Sequence, residues 1–181
     1  AMLRGDVVEP RLRAATLALS GGALAMAGRA ASTDEGERLA IRALENGAAA
    51  ERLARMVAAL GGPRDIVEHP GRHLRPAPVA RPVEPPRPGH VTAVDVRRLG
   101  LAIVEMGGGR RHPSASVDHH VGLTEVRGVG EPCGDGIPLA VVHARDEAGW
   151  QIGAAEVTAA FSVGDVPVTP PPPIRERLPA A

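Results

Sequence analysis

Between Pro10 and Gly62 apolar residues return at helical intervals, with polar and small residues between them. Leu12, Ala15, Leu19 and Ala23 fall on one face of a first helix, which Pro10 opens because proline suits the first turn, where its missing N–H is not needed. Ser32 and Glu35 have the spacing of a capping box and predict the start of a second helix. That helix ends at Asn46-Gly47, a pair suited to the left-handed backbone that closes helices. A third runs from about Ala48 to Leu60, with Leu53, Met56, Val57 and Leu60 on one apolar side, and stops at Gly61-Gly62-Pro63.

The pattern then changes. From Pro70 to Pro88 proline dominates and Val79 and Val83 are the main apolar positions, which favours an extended linker over an edge strand. His90 to Val94 reads as extended, Asp95 caps a helix reaching Glu105, and Val117 to Val126 is a second extended run. Gly128-Val129-Gly130 and Gly134-Asp135-Gly136 predict turns leading into a strand from Pro138 to His143. Asp146 opens a helix to about Phe161, and the chain from Pro170 onward reads as an extended strap. The organisation expected is a helical segment over 1–69, a proline-rich crossing over 70–89 and an α+β domain over 90–181.

Composition narrows the function classes. With one Phe, one Trp and no Tyr among 181 residues, small aliphatic side chains must build the core, and platforms for stacking on bases are missing. The 21 basic and 21 acidic residues balance and are spread along the chain, so neither nucleic acid nor an anionic membrane is an expected partner. Every basic residue is arginine, which excludes Schiff-base chemistry and lysine-borne biotin or lipoate. The lone Cys133 cannot form an internal disulfide and has no basic neighbour to activate it. Ala14 to Ala27 imitates the apolar part of a signal peptide, but Asp6 and Glu9 precede it and Gly21-Gly22 interrupt it; a buried helix and a cytoplasmic protein are expected.

Candidate chemistry concentrates between Leu99 and Gly122, where a helix-like run breaks on Gly107-Gly108-Gly109 and is followed by Arg110 and Arg111. Consecutive glycines either close a helix tightly or expose successive N–H groups to an anion; the tight turn is the leading reading and the anion site, with Gly108, Gly109 and Arg110 facing it, the second. His112, Asp118, His119 and His120 form the densest set of metal-ligand types, yet His119 and His120 would point to opposite faces of a strand. Ser114, Ser116, Asp118 and His119 include the residue types of a hydrolytic triad but no nucleophile elbow. Asp146 and Glu147 are expected to complement a helix N-terminus, and Trp150 to anchor that helix by packing. No catalytic residue, cofactor or metal is expected in this segment.

These strings also carry a resemblance. LGLAIVEMGGGRRHPSASVDHHVGLTEV and PLAVVHARDEAGWQIGAAEVTAAF resemble the C-terminal region of bacterial members of the pyrimidine-nucleoside phosphorylase family that act on thymidine, and ENGAAAERLARMVAALGGPRDIVE resembles the helical stretch preceding it. The most specific elements are the GGGRR loop, the D-x-x-V-G that follows, and the His143-Ala144-Arg145-Asp146-Glu147 junction. The resemblance implies an α+β fold, in which a helical segment from a larger α/β domain precedes a C-terminal subdomain with a small mixed or antiparallel sheet of half-barrel type. It also implies reversible phosphorolysis, with phosphate attacking the anomeric carbon of thymidine to release thymine and 2-deoxyribose 1-phosphate. In the family the phosphate cradle and base-binding set, lysines included, lie upstream of the region seen here, and so do most of the dimer contacts. The expectation is therefore a homodimeric enzyme whose N-terminal half is missing from this chain, which alone is inactive. The chain's start at Ala1 rather than Met fits that expectation. The proline-rich stretch from Arg75 to Pro88 departs from the family's more ordinary strand. The alternative is a free-standing, non-catalytic binding module. A carrier role suggested by the half-barrel topology fails for want of a lysine.

Overall fold

The computed structural model describes residues 1–6 and 8–176, which build two compact units, one on Ala1–Leu74 and one on Arg75–Pro171.

The first unit is helical: α1 (Pro10–Met26), α2 (Thr33–Glu45), α3 (Ala48–Ala59) and the single turn α4 (Pro70–His73). The helix starts follow from local chemistry. Glu9 accepts from the backbone N–H groups of Arg11 and Leu12 ahead of Pro10. Ser32 Oγ accepts from Glu35 N at 3.2 Å while the Glu35 carboxylate reaches back to Ala31 N at 2.7 Å, a reciprocal cap. Gly47, at φ 80°, supplies the left-handed residue between α2 and α3.

The face that α1 buries differs from the one its periodicity suggested. Leu17 and Gly21 are buried, whereas Leu12 and Leu19 stay 54% and 69% exposed. The reason is that α1 is apolar or small nearly all round, so spacing does not select a side; the backbone does. A side chain at Gly36 would collide with the Gly21 carbonyl, and one at Gly21 would lie 2.7 Å from Thr33 O. Only a glycine pair lets α1 and α2 approach this closely. On α3, Leu53 and Val57 are half-buried while Met56 and Leu60 are exposed.

The second unit is α+β. One antiparallel sheet has the order β1 (Val79–Val83), β5 (Ala140–Ala144), β3 (Gly122–Thr124); the other has β4 (Pro132–Cys133), β2 (Gly89–Val94), β6 (Phe161–Gly164). Helices α5 (Val96–Ile103) and α6 (Glu147–Ala160) pack on each other, and α6 lies on β5 and β1. Their N-termini are capped by Asp95, which accepts from Arg98 N, and Asp146, which accepts from Gly149 N. Val91, Leu139, Val142 and Val157 are fully buried at the centre, joined by Leu99, Cys133 and Phe161. Aliphatic side chains thus make up most of this core.

Two expectations for this unit change, and one unexpected strand is added. Val79–Val83 is a paired edge strand rather than a free linker, and Pro82 is tolerated because an edge strand need not donate on both sides. The run from Val117 to Val126 is a strand only over Gly122–Thr124. Asp118 Oδ1 accepts from His120 N at 3.0 Å, forming a local turn that competes with the ladder. Helix α6 stops at Ala160, and Phe161–Gly164 continues as β6 against β2. Of the strap expected after Pro170, the last residues, 177–181, lie outside the described residues.

Candidate functional site

The glycine turn is built from the end of α5. The helix widens through a π-type turn over Val104–Gly108, and Gly107 takes φ 98°, which a side chain would oppose. A Cβ on Gly108 would sit 2.8 Å from Ile103 Cγ2 and 3.0 Å from Val121 Cγ1; on Gly109 it would meet Val104 Cγ2 at 2.6 Å. Packing space and backbone angle therefore account for all three glycines. The chain then leaves the helix carrying Arg110 and Arg111, both exposed and without an ion pair among the described residues.

Asp118 closes this loop. Its backbone N–H donates to Gly107 O at 2.9 Å. Its carboxylate accepts from His120 N at 3.0 Å, lies 2.9 Å from His120 Nδ1, and accepts from Arg145 Nε at 2.7 Å. The side chain is 8% exposed. Hydrogen bonds from His120 and the Arg145 guanidinium hold its pKa well below the ordinary carboxylate range. Arg145 stands at the junction of β5 and α6, so the D-x-x-V-G and H-A-R-D-E motifs, distant in sequence, meet through one ion pair. Nearby, His143 Nε2 lies 2.7 Å from Thr124 Oγ1 across β5 and β3.

The other candidates disperse. His119 and His120 occupy a turn, His112 Nδ1 lies 2.9 Å from Ser114 Oγ, and no group of three or more His, Cys, Asp or Glu able to hold a metal occurs among the described residues. Asp118 is engaged by His120 and Arg145 and Ser114 by His112, so no triad is assembled. Cys133 is buried, and burial pushes its thiol pKa up, away from reactivity. Asp146 caps α6 as expected, while Glu147 pairs with Arg81 of β1. Trp150 packs against the core and carries the Arg81 guanidinium 4.0 Å above its ring. A shallow groove beside α5 and α6 is crossed by the Arg98–Glu156 ion pair at 2.7 Å, which leaves it little unsatisfied polarity.

The Asp118–Arg145 tie escaped residue-by-residue reading, because local patterns carry no signal for a contact between two loops. Only the presence of both motifs in the resemblance hinted at a connection.

The sequence that builds this fold and loop is similar to known proteins. Residues 90–164 match the model of the pyrimidine nucleoside phosphorylase C-terminal domain. Over 169 residues it is 43% identical to the thymidine phosphorylase of Burkholderia orbicola and, equally, to that of Burkholderia cenocepacia. Each alignment takes in 93% of this chain but 39% of the relative, so the chain spans well under half the length of the curated relatives it matches.

Proposed function

We propose that this chain is the C-terminal part of a thymidine phosphorylase, and that the intact enzyme carries out reversible phosphorolysis of thymidine. The observation that carries this reading is 43% identity sustained over 93% of the chain to proteins named for that activity. In the reaction a phosphate oxygen bonds to the anomeric carbon as the C–N glycosidic bond breaks. The bonding pair leaves with thymine, which takes up a proton, and 2-deoxyribose 1-phosphate remains. Such a step needs a cradle for the phosphate dianion and donors for the charge developing on the base. This chain holds no lysine, and in this reading the phosphate cradle and the donors to the base belong to the rest of the enzyme.

Within that reading the glycines first serve as the tight turn that ends α5. Gly108, Gly109 and Arg110 then face the phosphate side of the assembled site, where unpaired guanidinium groups attract the dianion. Phosphate is a co-substrate, no cofactor is required, and the working enzyme is a cytoplasmic homodimer. No helix among the described residues is long and apolar enough to cross a membrane.

The test compares the 181 residues alone with a fusion in which they replace the corresponding C-terminal part of the Burkholderia cenocepacia enzyme. The fusion is expected to release thymine only when phosphate is present, and the chain alone to release none. Turnover by the chain alone at the rate of the fusion would refute its dependence on the missing part. A folded fusion that ignores thymidine would refute the assignment. An Arg110→Ala fusion with unchanged phosphate dependence would remove Arg110 from the site.

A further inference from the structure

We infer that Asp118 is the positioning residue of the arginine loop, fixing Arg110 and Arg111 in place for the phosphate of the assembled enzyme. The loop runs over residues 109–117, and both of its ends are held. At one end Gly108 and Gly109 are wedged against Ile103, Val104 and Val121. At the other, Asp118 donates its N–H to Gly107 O at 2.9 Å, so the loop leaves and returns through a single neck. The Asp118 carboxylate ties that neck to Arg145, a residue of the strand–helix junction, and to His120. Inside the loop Ala115 N donates to His112 O at 2.9 Å, forming one further turn.

The contrast in pairing supports the assignment. Three arginines lie close to this neck in the fold or the chain, and only Arg145 is engaged by a carboxylate; Arg110 and Arg111 have none among the described residues. A pinned loop presenting free cations loses less conformational freedom on meeting an anion than a loose one, and so binds it more tightly. Asp118 is itself 8% exposed and fully engaged, so it acts through the loop and does not touch the ligand.

The positional half of this inference stands on the fold alone; the phosphate half rests on the proposed function, and the experiment separates them. Asp118→Asn keeps the size and the acceptor for His120 N but removes the charge that holds Arg145. In the full chain, trypsin is expected to cut after Arg110 and Arg111 roughly tenfold faster in the variant, relative to cutting after Arg29 between α1 and α2. Arg145→Gln, altering a side chain that is 70% exposed, should loosen the same tie and serves if Asp118→Asn does not fold. In the fusion enzyme, Asp118→Asn should raise the KM for phosphate about five- to tenfold, with kcat and the KM for thymidine within twofold. A merely structural role would lower the active fraction and leave both KM values alone. Unchanged cleavage after Arg110 and Arg111 in both variants overturns the positioning role. Faster cleavage with an unchanged phosphate KM overturns the link to phosphate. A wild-type fusion without thymidine phosphorolysis sinks the proposed function, while proteolysis still decides for or against the role of Asp118 in the loop.

Discussion

Gly21 and Gly22 are neighbours in α1, yet alanine should act on them in opposite directions. Both substitutions gain the same helical preference, about 0.5–1 kcal/mol, because alanine loses less backbone freedom than glycine. At Gly22 the new methyl meets nothing within 4 Å, so the gain stands and the helical unit is stabilised. At Gly21 it would lie 2.7 Å from Thr33 O and 2.8 Å from Glu37 N, both backbone atoms that cannot rotate away. Ordinary contact begins at 3.4 Å, so α1 and α2 must part by roughly 0.7 Å. A gap of that size forfeits a quarter to a half of the dispersion attraction along the helix pair, and overpacking of this kind costs about 1–3 kcal/mol. Setting this against the helical gain, Gly21→Ala should destabilise by about 1–2 kcal/mol and Gly22→Ala should stabilise by up to about 1 kcal/mol. Urea titrations followed at 222 nm measure both. The native emission of Trp150, which belongs to the other unit, should not move. Equal shifts of the same sign for the two variants would refute the reasoning, because propensity alone would then explain them.

Three further outcomes follow from the second unit. Leu139→Ala empties a fully buried position and should cost about 2–5 kcal/mol in urea unfolding followed by Trp150 fluorescence; a loss under 1 kcal/mol would mean that the site collapses freely. Cys133, buried and with its thiol pKa raised, should react with a thiol reagent at pH 8 only as urea unfolds the chain; rapid native labelling would contradict its burial. Asp118 has a folded pKa below its ordinary value of 3.8, so its contribution is complete above that pH and declines as pH falls from there toward the folded pKa. The stability difference between wild type and Asp118→Asn should therefore shrink as pH falls below 4. A difference that grew on acidification would reverse the sign of the argument.

How far the fold was legible depends on where each instruction resides. Boundaries set by local chemistry could be read: Pro10, the Ser32–Glu35 cap, Asn46-Gly47, Asp95 and Asp146 all act on backbone groups within a few residues. Features that depend on a distant partner could not. Val79–Val83 is a strand because β5 pairs with it, and Phe161–Gly164 leaves the helical pattern because β2 is beside it. The turn at Asp118 was local but was outvoted by the apolar run around it. Of the candidate site, the glycine turn and the arginines were visible as composition. The Asp118–Arg145 pair, which ties the loop to the strand–helix junction, spans 27 residues and leaves no mark in the local pattern.

The exposed apolar residues of the first unit give the final step. Leu12, Leu19, Met56 and Leu60 sit at helical spacing, and all four are more than half exposed. Periodicity of this kind has a physical cost in an isolated chain, since fully burying such a side chain is worth about 1.5–3 kcal/mol and leaving it in water forgoes that. A single exposed leucine needs no explanation, but repeated apolar positions on two helices record a burial that the helical unit does not itself supply. The proposed function offers such a burial, because the relatives this chain matches are more than twice its length. If so, joining the chain to the N-terminal part of the Burkholderia cenocepacia enzyme should protect the amides of α1 and α3 from hydrogen exchange, relative to the 181 residues alone. Unaltered exchange in an active fusion would show that these faces serve something else.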